Sequence, residues 1–187
     1  MAGVKTGQRV SYSDLEQWPD DGRRYELYDG EVYEVPSPIL LHQYVAGQLH
    51  LALAAYTRRH GGLVAFAPLD IVLTEYDVVQ PDLLLFTAGH VPLIEFKKPN
   101  RVPPDLAIEI LSPSTERNDR GRKMALLARH GVREYWLVDP EQPGVEVYVL
   151  RGERFILAHA AIGTEPAQSP LLPGLVVRPA DLLPPNG

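Results

Sequence analysis

Residues 104–140 read PDLAIEILSPSTERNDRGRKMALLARHGVREYWLVDP, and they predict a strand, a polar loop, a helix and a second strand. The first strand is expected over 105–111, because apolar side chains fall on both faces of an extended chain there, as in a strand that is covered on both sides. The helix is expected from about Asp119 to His130, ended by Gly131, and the second strand over 134–138. So short a connection predicts a parallel, right-handed crossover.

Two charged residues stand at inward-facing positions of this unit. Glu109 lies in the first strand, where an unpaired carboxylate would be costly to bury, so it requires a metal, a cation or hydrogen-bond donors. At about 100° per residue, Lys123 points between Leu126 and Leu127. The helix therefore directs Lys123 toward the sheet that carries Glu109.

A third charged residue, Asp82, stands at the head of another apolar segment. Residues 78–86 read VVQPDLLLF and are predicted to form one strand, with Gln80 and Asp82 on the same face. Two carboxylates on neighbouring strands suggest a shared cation. Oxygen ligands of this kind suit Mg²⁺ or Mn²⁺.

The composition is typical of one soluble globular domain. The chain has 187 residues, 45% hydrophobic and 22% charged, and we expect a single domain over 1–187 with an N-terminal helical segment (1–22) and a tail (176–187). No apolar run approaches the roughly 20 residues of a membrane span, and MAGVKTGQRV lacks a signal-peptide core. Without cysteine there are no disulfides or thiolate metal sites. These features predict a cytoplasmic protein that does not contact membranes.

The charges are unevenly distributed. A net charge of −6 argues against loose, non-specific binding to nucleic acid. Between residues 97 and 133, however, nine of the 18 basic residues accompany only four acidic ones. This segment is either a solvated surface with ion pairs or a patch that faces phosphates, and the sequence leaves both open.

The N-terminal half predicts a hairpin and a long helix. Ser13 and Glu16 match a capping box for a helix over 13–18, and Asp29-Gly30 predicts a hairpin turn within RRYELYDGEVYEV. Glu26 lies in this hairpin opposite Tyr33, where a solvated side chain is the usual outcome. A helix is expected over 39–59, with His42 in its first turn, where histidine is usually a surface or cap residue.

The remaining segments predict strands and a C-terminal tail. Strands are expected over 63–66, 69–74, 145–150 and 154–158, the last two as a peripheral hairpin across Gly152. The tail should dock its leucines on the core and then fray.

The ordered set of these segments resembles the Uma-type restriction endonuclease family, a branch of the PD-(D/E)XK nuclease superfamily. The resemblance covers nearly the whole chain, from YELYDGE (25–31) and His42 through VVQPDLLLF (78–86) and DLAIEILSPST (105–115) to Lys123, GVREYWLVDP (131–140) and LPGL (172–175). It implies a restriction-endonuclease-like α/β (α+β) fold, a mixed central sheet flanked by helices with peripheral β-hairpins.

The lysine of the superfamily motif is displaced in this chain. Its usual position, two residues after the glutamate, holds Leu111. In this family the lysine is expected on the following helix, and Lys123 matches it. Asp82 with Glu95 and Lys97 fits the literal motif better, but that stretch is polar and proline-rich, with no room for a central strand.

The resemblance implies a Mg²⁺- or Mn²⁺-dependent endonuclease that hydrolyses DNA phosphodiester bonds. Asp82 and Glu109 would hold the cation, Lys123 would orient the attacking water or stabilise the transition state, and Glu26 would bind or orient a metal water. The expected substrate-binding residues are His42, Gln80, Arg117, Arg120 and Arg122.

Alternatives to an endonuclease remain open. They are a non-catalytic binding module for nucleic acid or protein, a hydrolase of a smaller phosphoester, and a purely structural ion-pair network. Many enzymes of the superfamily act as homodimers, but no segment of the sequence identifies an interface. Sequence preference, the number of metal ions and the biological role are equally undetermined.

Overall fold

The computed structural model describes residues 9–185, so residues 1–8 of the expected N-terminal segment and the tail end at 186–187 lie outside the described residues. The strands are β1 (Arg24–Tyr28), β2 (Glu31–Val35), β3 (Leu63–Phe66), β4 (Ile71–Val72), β5 (Val78–Val79), β6 (Leu83–Phe86), β7 (Leu106–Ile110), β8 (Glu134–Asp139), β9 (Gly144–Arg151) and β10 (Arg154–Ile162). The α-helices are α1 (Tyr12–Leu15), α2 (Leu40–His60), α3 (Glu116–Asn118) and α4 (Met124–Arg129). A π-helical turn, Asp119–Lys123, joins α3 to α4, and 3-10 turns occur at Val91–Leu93 and Pro179–Leu182.

The strands form two sheets, and the larger is mixed. Its six strands follow the order β10-β9-β8-β7-β6-β3, and only the β7–β8 pair among them is parallel. The smaller sheet has the order β2-β1-β5-β4 and is antiparallel. The predicted mixed central sheet and the parallel unit at 104–140 are confirmed.

The central strand β7 is buried on both faces, as predicted. One face packs against α2, whose residues Val45, Leu49 and Leu53 are fully buried. The other face packs against α4 through Leu126 and Leu127. The six-stranded sheet is thus a layer between two helical segments, and any charged side chain on β7 must find its partners inside the protein.

The predicted hairpin at Asp29-Gly30 is confirmed. Both turn residues have positive φ, 53° and 77°, as a two-residue turn of the hairpin type requires. The register places Glu26 opposite Tyr33. Gly30 has a second constraint, because a Cβ there would lie 2.7 Å from the Cβ of Arg9.

The prediction of one strand over 78–86 is wrong. Val78–Val79 pair with β1 and β4 in the smaller sheet, whereas Leu83–Phe86 pair with β3 and β7 in the larger one. Pro81 interrupts the extended run, since proline has no N–H for a ladder hydrogen bond. The chain passes from one sheet to the other here, and Asp82 lies at this crossing.

Several element boundaries also differ from the prediction. The N-terminal capping box consists of Ser11 and Asp14 rather than Ser13 and Glu16, and it starts the helix one residue earlier. The strand expected over 69–74 is reduced to Ile71–Val72. The hairpin around Gly152 is longer than expected, and β9 pairs with β8, so it extends the central sheet rather than standing apart.

The C-terminal segment completes the core next to α2. Leu172, Val177 and Leu182 are buried in the same cluster as Leu49 and Leu53. Buried Glu134 anchors this segment to β8 by accepting hydrogen bonds from the Ser169 hydroxyl (2.5 Å) and the Leu171 N–H (3.0 Å). None of the helices found between residues 9 and 185 is long and apolar enough to cross a membrane.

Alanine at two glycines should change stability in opposite directions. Gly62 has φ of 115°, and a Cβ there would lie 2.7 Å from the Phe86 carbonyl oxygen, so we expect Gly62→Ala to cost about 2 kcal/mol. Gly47 lies on the exposed side of α2 with nothing within 4 Å of its Cβ position, so Gly47→Ala should stabilise by about 0.5–1 kcal/mol. Urea denaturation measures both, and equal midpoints would contradict this account of the α2–β3 junction.

Candidate active site

A buried lysine among carboxylates forms the centre of the candidate site. The Lys123 Nζ lies 2.9 Å from Glu26 Oε1, 3.0 Å from Glu109 Oε1 and 3.7 Å from Asp119 Oδ1. The lysine side chain is only 4% exposed, and the three acids are buried as deeply. An ammonium group in this position is held by charge on three different segments of the chain.

The π-helical turn presents two of these side chains together. Asp119 and Lys123 are its first and last residues, and both are buried although the neighbouring Arg122 is exposed. The Tyr135 hydroxyl donates a hydrogen bond of 3.0 Å to the Asp119 carbonyl, which fixes the turn to β8. Sequence periodicity correctly predicted that Lys123 points inward, but it did not indicate the π-helical turn or the burial of Asp119.

Asp82 lies beside Glu109 because of the β6–β7 register. Leu83 pairs with Ile108, so the next step of this antiparallel ladder brings Asp82 opposite Glu109. The Asp82 Oδ2 accepts hydrogen bonds from the Ile110 N–H (2.8 Å) and from His42 Nε2 (3.0 Å). Both bonds meet the same oxygen, which leaves the Asp82 Oδ1 for a further ligand.

The prediction of a solvated Glu26 side chain is wrong, because the exposure of this residue is 0%. Its carboxylate accepts hydrogen bonds from the Tyr28 hydroxyl (2.7 Å) and the Gln80 N–H (2.7 Å) in addition to the contact with Lys123. The Tyr28 hydroxyl in turn accepts one from Asn118 (2.8 Å). Glu26 therefore connects the smaller sheet to the lysine and is better satisfied than Glu109.

Burial and mutual repulsion shift the pKa values of the cluster. Desolvation raises the pKa of Glu109 well above its usual value; Lys123 opposes this rise, and Asp119, Asp82 and Glu26 add to it. Burial also raises the pKa of Asp119 to about 6. Burial alone would lower the pKa of Lys123, but the charges of Glu109 and Glu26 outweigh it and raise that pKa well above the ordinary value. The lysine is thus held as a cation, and the carboxylates exceed the positive charge available to them.

One cavity of about 240 Å³ contains most of the residues selected from the sequence. Its lining includes Glu26, His42, Gln80, Asp82, Glu109 and Lys123. The Gln80 amide nitrogen donates to Asp70 (2.7 Å), and its amide oxygen is buried without a hydrogen-bond partner among the described residues. The structure thus brings these six side chains together, while their catalytic roles stay predictions.

The three arginines selected from the sequence do not line this cavity. Arg120 forms a bidentate pair with Glu146 (2.8 and 3.0 Å) and also contacts Glu116. Arg122 pairs with Glu31 (3.1 Å), and Arg117 is exposed on α3. For Arg120 and Arg122 these contacts favour the ion-paired interpretation of the basic segment.

The alternative motif built on Glu95 and Lys97 lies elsewhere. Both residues are exposed in a turn that follows the 3-10 turn Val91–Leu93, and neither lines the cavity with Asp82. Arg24, in contrast, lines the cavity and was not selected from the sequence. Its guanidinium donates to the Pro36 carbonyl (2.8 Å). Its position in β1, on the same face as Glu26, is the sequence signal that could have indicated it.

The residues present fit a Mg²⁺-like cation that keeps water or substrate ligands. Within residues 9–185, no group of three or more acidic, histidine or cysteine side chains is already arranged to hold a metal ion. Mg²⁺ commonly takes only one or two carboxylates, however, with water and phosphate oxygens completing its shell. The Glu109 Oε1 is buried, and its contact with Lys123 has the distance of an ion pair but not the geometry of a hydrogen bond. Glu109 and Asp82 are therefore the pair suited to hold such a cation.

The chain is similar to known proteins in sequence and in fold. A family model named Uma2, with the description "Putative restriction endonuclease", matches residues 12–181. A crystal structure described as a putative nuclease belonging to DUF820, from Anabaena variabilis ATCC 29413, has a TM-score of 0.75 to this chain at 18% sequence identity. That similarity covers 92% of this chain and 97% of the other, and at such identity it establishes the shared fold. A search of curated proteins found no match.

Removal of the buried charge of Lys123 should destabilise the protein far more than removal of the charge of an exposed lysine. We expect Lys123→Met to cost about 3–5 kcal/mol at pH 8, because it leaves buried carboxylates without their cation. The matched variant Lys98→Met breaks a 2.6 Å pair with Glu95 whose side chains are about two-thirds exposed, and it should cost less than about 1 kcal/mol. Urea denaturation compares the two, and similar losses would show that Lys123 is not held by its carboxylates.

Proposed function

Because the chain belongs to the Uma2 family, whose description reads "Putative restriction endonuclease", we propose that it is a divalent-cation-dependent endonuclease that hydrolyses phosphodiester bonds in DNA. One observation supports this most: a buried ammonium group shares one cavity with two carboxylates, those of Glu109 in β7 and of Asp82 just before β6. Phosphodiester hydrolysis needs positive charge placed where negative charge develops. Lys123 is one cation in this cavity, and Glu109 and Asp82 would hold a second.

Asp82 and Glu109 would hold Mg²⁺ or Mn²⁺, which when bound neutralises charge on the phosphate and makes water a better nucleophile. Lys123 remains protonated and can donate hydrogen bonds to a phosphate oxygen or to the attacking water. Its position is set by Glu26, so we assign Glu26 a positioning role. His42 donates to Asp82 and thereby keeps the Asp82 carboxylate turned toward Glu109's strand.

DNA is proposed as the substrate from the family description and from a basic residue of the cavity. Arg24 lines the cavity and would neutralise a phosphate that flanks the scissile one. Most of the other basic side chains near the unit 104–140 are paired with acids, as with Arg101 and Glu75 (2.8 Å) and Arg133 and Asp105 (3.2 Å). Phosphate contacts near the cavity therefore depend on few residues.

Divalent cations should stabilise the folded protein through Asp82. At a hundredfold excess over the dissociation constant, bound Mg²⁺ or Mn²⁺ contributes about 2.7 kcal/mol, which corresponds to a rise in Tm of several degrees for a chain of this size. Asp82→Asn keeps the hydrogen bond from Ile110 possible but removes the charge, and it should abolish most of the rise. The measurement is differential scanning calorimetry with and without EDTA. Equal rises in the parent and in Asp82→Asn would place the cation elsewhere.

Cleavage of DNA should depend on the same residues. We expect supercoiled plasmid to be nicked or linearised with Mg²⁺ or Mn²⁺, and EDTA to stop the reaction. Glu109→Gln and Asp82→Asn should lower the rate at least a hundredfold, on the order of the loss of one charge-stabilising group.

Two exposed variants serve as controls for this assay. Glu95→Gln and Lys97→Met alter the alternative motif outside the cavity and should retain the parent rate. Cleavage that survives both cavity substitutions would overturn the proposed site. Metal binding without cleavage of any DNA, together with hydrolysis of a small phosphodiester such as bis(p-nitrophenyl) phosphate, would favour a smaller substrate.

A further inference from the structure

An apolar groove opens directly beside the candidate active site. It has a volume of about 380 Å³ and runs between the first half of α2 and the end of β3. It shares the lining residues Arg24, Pro38, His42 and Asp82 with the cavity that contains Glu109 and Lys123, so the two spaces adjoin. We name it the Phe66 groove, after the aromatic residue at the end of β3 that lines it.

Phe66 is exposed but held in place. Its exposure is 59%, unusual for a phenylalanine in a strand. The His50 ring contacts it edge to face, with centroids 5.0 Å apart and an interplanar angle of 82°. Because Phe66 stays 59% exposed despite this contact, part of its ring surface remains available to the groove.

The backbone places this ring one step from the proposed cation ligand. Phe66 pairs with Leu83 across the β3–β6 ladder, and the Ala67 N–H donates to the Asp82 carbonyl at 3.0 Å. A phosphate held through a cation at Asp82 would therefore have its neighbouring sugar and base within reach of the groove. Gln43 also lines the groove and carries an amide able to donate to and accept from a base edge.

We propose that the Phe66 groove binds an unpaired nucleobase next to the scissile phosphate, with the base stacked on Phe66. This inference rests on the proposed nuclease function and narrows its substrate to DNA with unpaired nucleotides at the cleavage point. A base inside a duplex is already stacked on both sides, whereas an unpaired base has a free face for an aromatic ring. Arg24, at the junction with the carboxylate cavity, supplies a positive charge for the backbone between them.

The shared lining of groove and cavity favours a nucleotide over a second protein chain as the occupant. A protein partner that filled the groove would also have to cover Arg24 and Asp82, which line both spaces, and their charges would lose water. A nucleotide brings a phosphate and a base together, and each matches one of the two adjoining spaces.

The test measures binding with 2-aminopurine oligonucleotides in Ca²⁺, an oxygen-binding cation, so that affinity is read separately from cleavage. One probe is single-stranded, and the other is the same strand in a full duplex. We expect the single strand to bind more tightly and its fluorescence to be quenched on binding. Phe66→Ala and Phe66→Leu should weaken single-strand binding roughly tenfold and remove the quenching, while Phe66→Trp should keep both.

A matched control separates stacking in the groove from general loss of exposed aromatic surface. Phe96 is 71% exposed and lines neither the active-site cavity nor the Phe66 groove, so Phe96→Ala should bind both probes as the parent does. The groove proposal alone would be overturned if the parent bound duplex and single strand equally, Phe66→Ala bound both with the parent's affinity, and plasmid cleavage persisted. Absence of both binding and cleavage would overturn the nuclease function and the groove together. A Phe66→Ala variant that changes only the sedimentation coefficient would identify a contact between copies of the chain and refute the proposal.

Discussion

The interaction on which the structure most depends is the burial of the Lys123 ammonium among Glu26, Glu109 and Asp119. Each acid comes from a different element: β1 of the smaller sheet, β7 of the larger sheet and the π-helical turn. An unpaired charge at this depth would be very unfavourable, so the elements must assemble together or not at all. The lysine thereby links the two sheets and the crossover helix at the point where the chemistry is proposed.

This arrangement is stable but electrostatically incomplete. Four carboxyl groups, Asp82 included, gather around one amine, and the raised pKa of Glu109 reflects that imbalance as well as its burial. A site intended only for stability would be better served by apolar side chains of similar volume. The excess of negative charge is what a divalent cation and a phosphate substrate would balance between them.

Local patterns predicted the parts of the fold that depend on local burial. Apolar residues on both faces predicted β7, the Asp29-Gly30 pair predicted the hairpin, and helical periodicity predicted that Lys123 points inward. Each of these signals arises within a few residues. The sheet crossing at Pro81 could not be predicted in this way, since it depends on which distant strands pair with Val78 and with Leu83. Glu26 illustrates the same limit. Its strand pattern gave the face on which it lies, but not that a helix far along the sequence covers that face.

Asp119 was missed for a different reason. An acid four residues before a lysine normally indicates an exposed ion pair on an α-helix, so its spacing carried no sign of burial. Strand and helix patterns singled out Asp82, Glu109 and Lys123, and the resemblance to a nuclease family implied roles for them, but neither indicated Arg24 or the groove beside it. Those emerge only from side chains brought together in three dimensions.

The π-helical turn has a consequence for how related sequences can vary in length. It contains five residues, Asp119–Lys123, between two α-helical pieces whose faces are fixed by different neighbours. Losing or gaining one residue there would change the four-residue spacing of Asp119 and Lys123 and carry the lysine away from its acids. Chain-length changes during evolution should therefore accumulate in the exposed turn around residues 95–98 and be purged from this one. A gap placed within Asp119–Lys123 in an alignment of functional relatives would mark an error of alignment or a lost site.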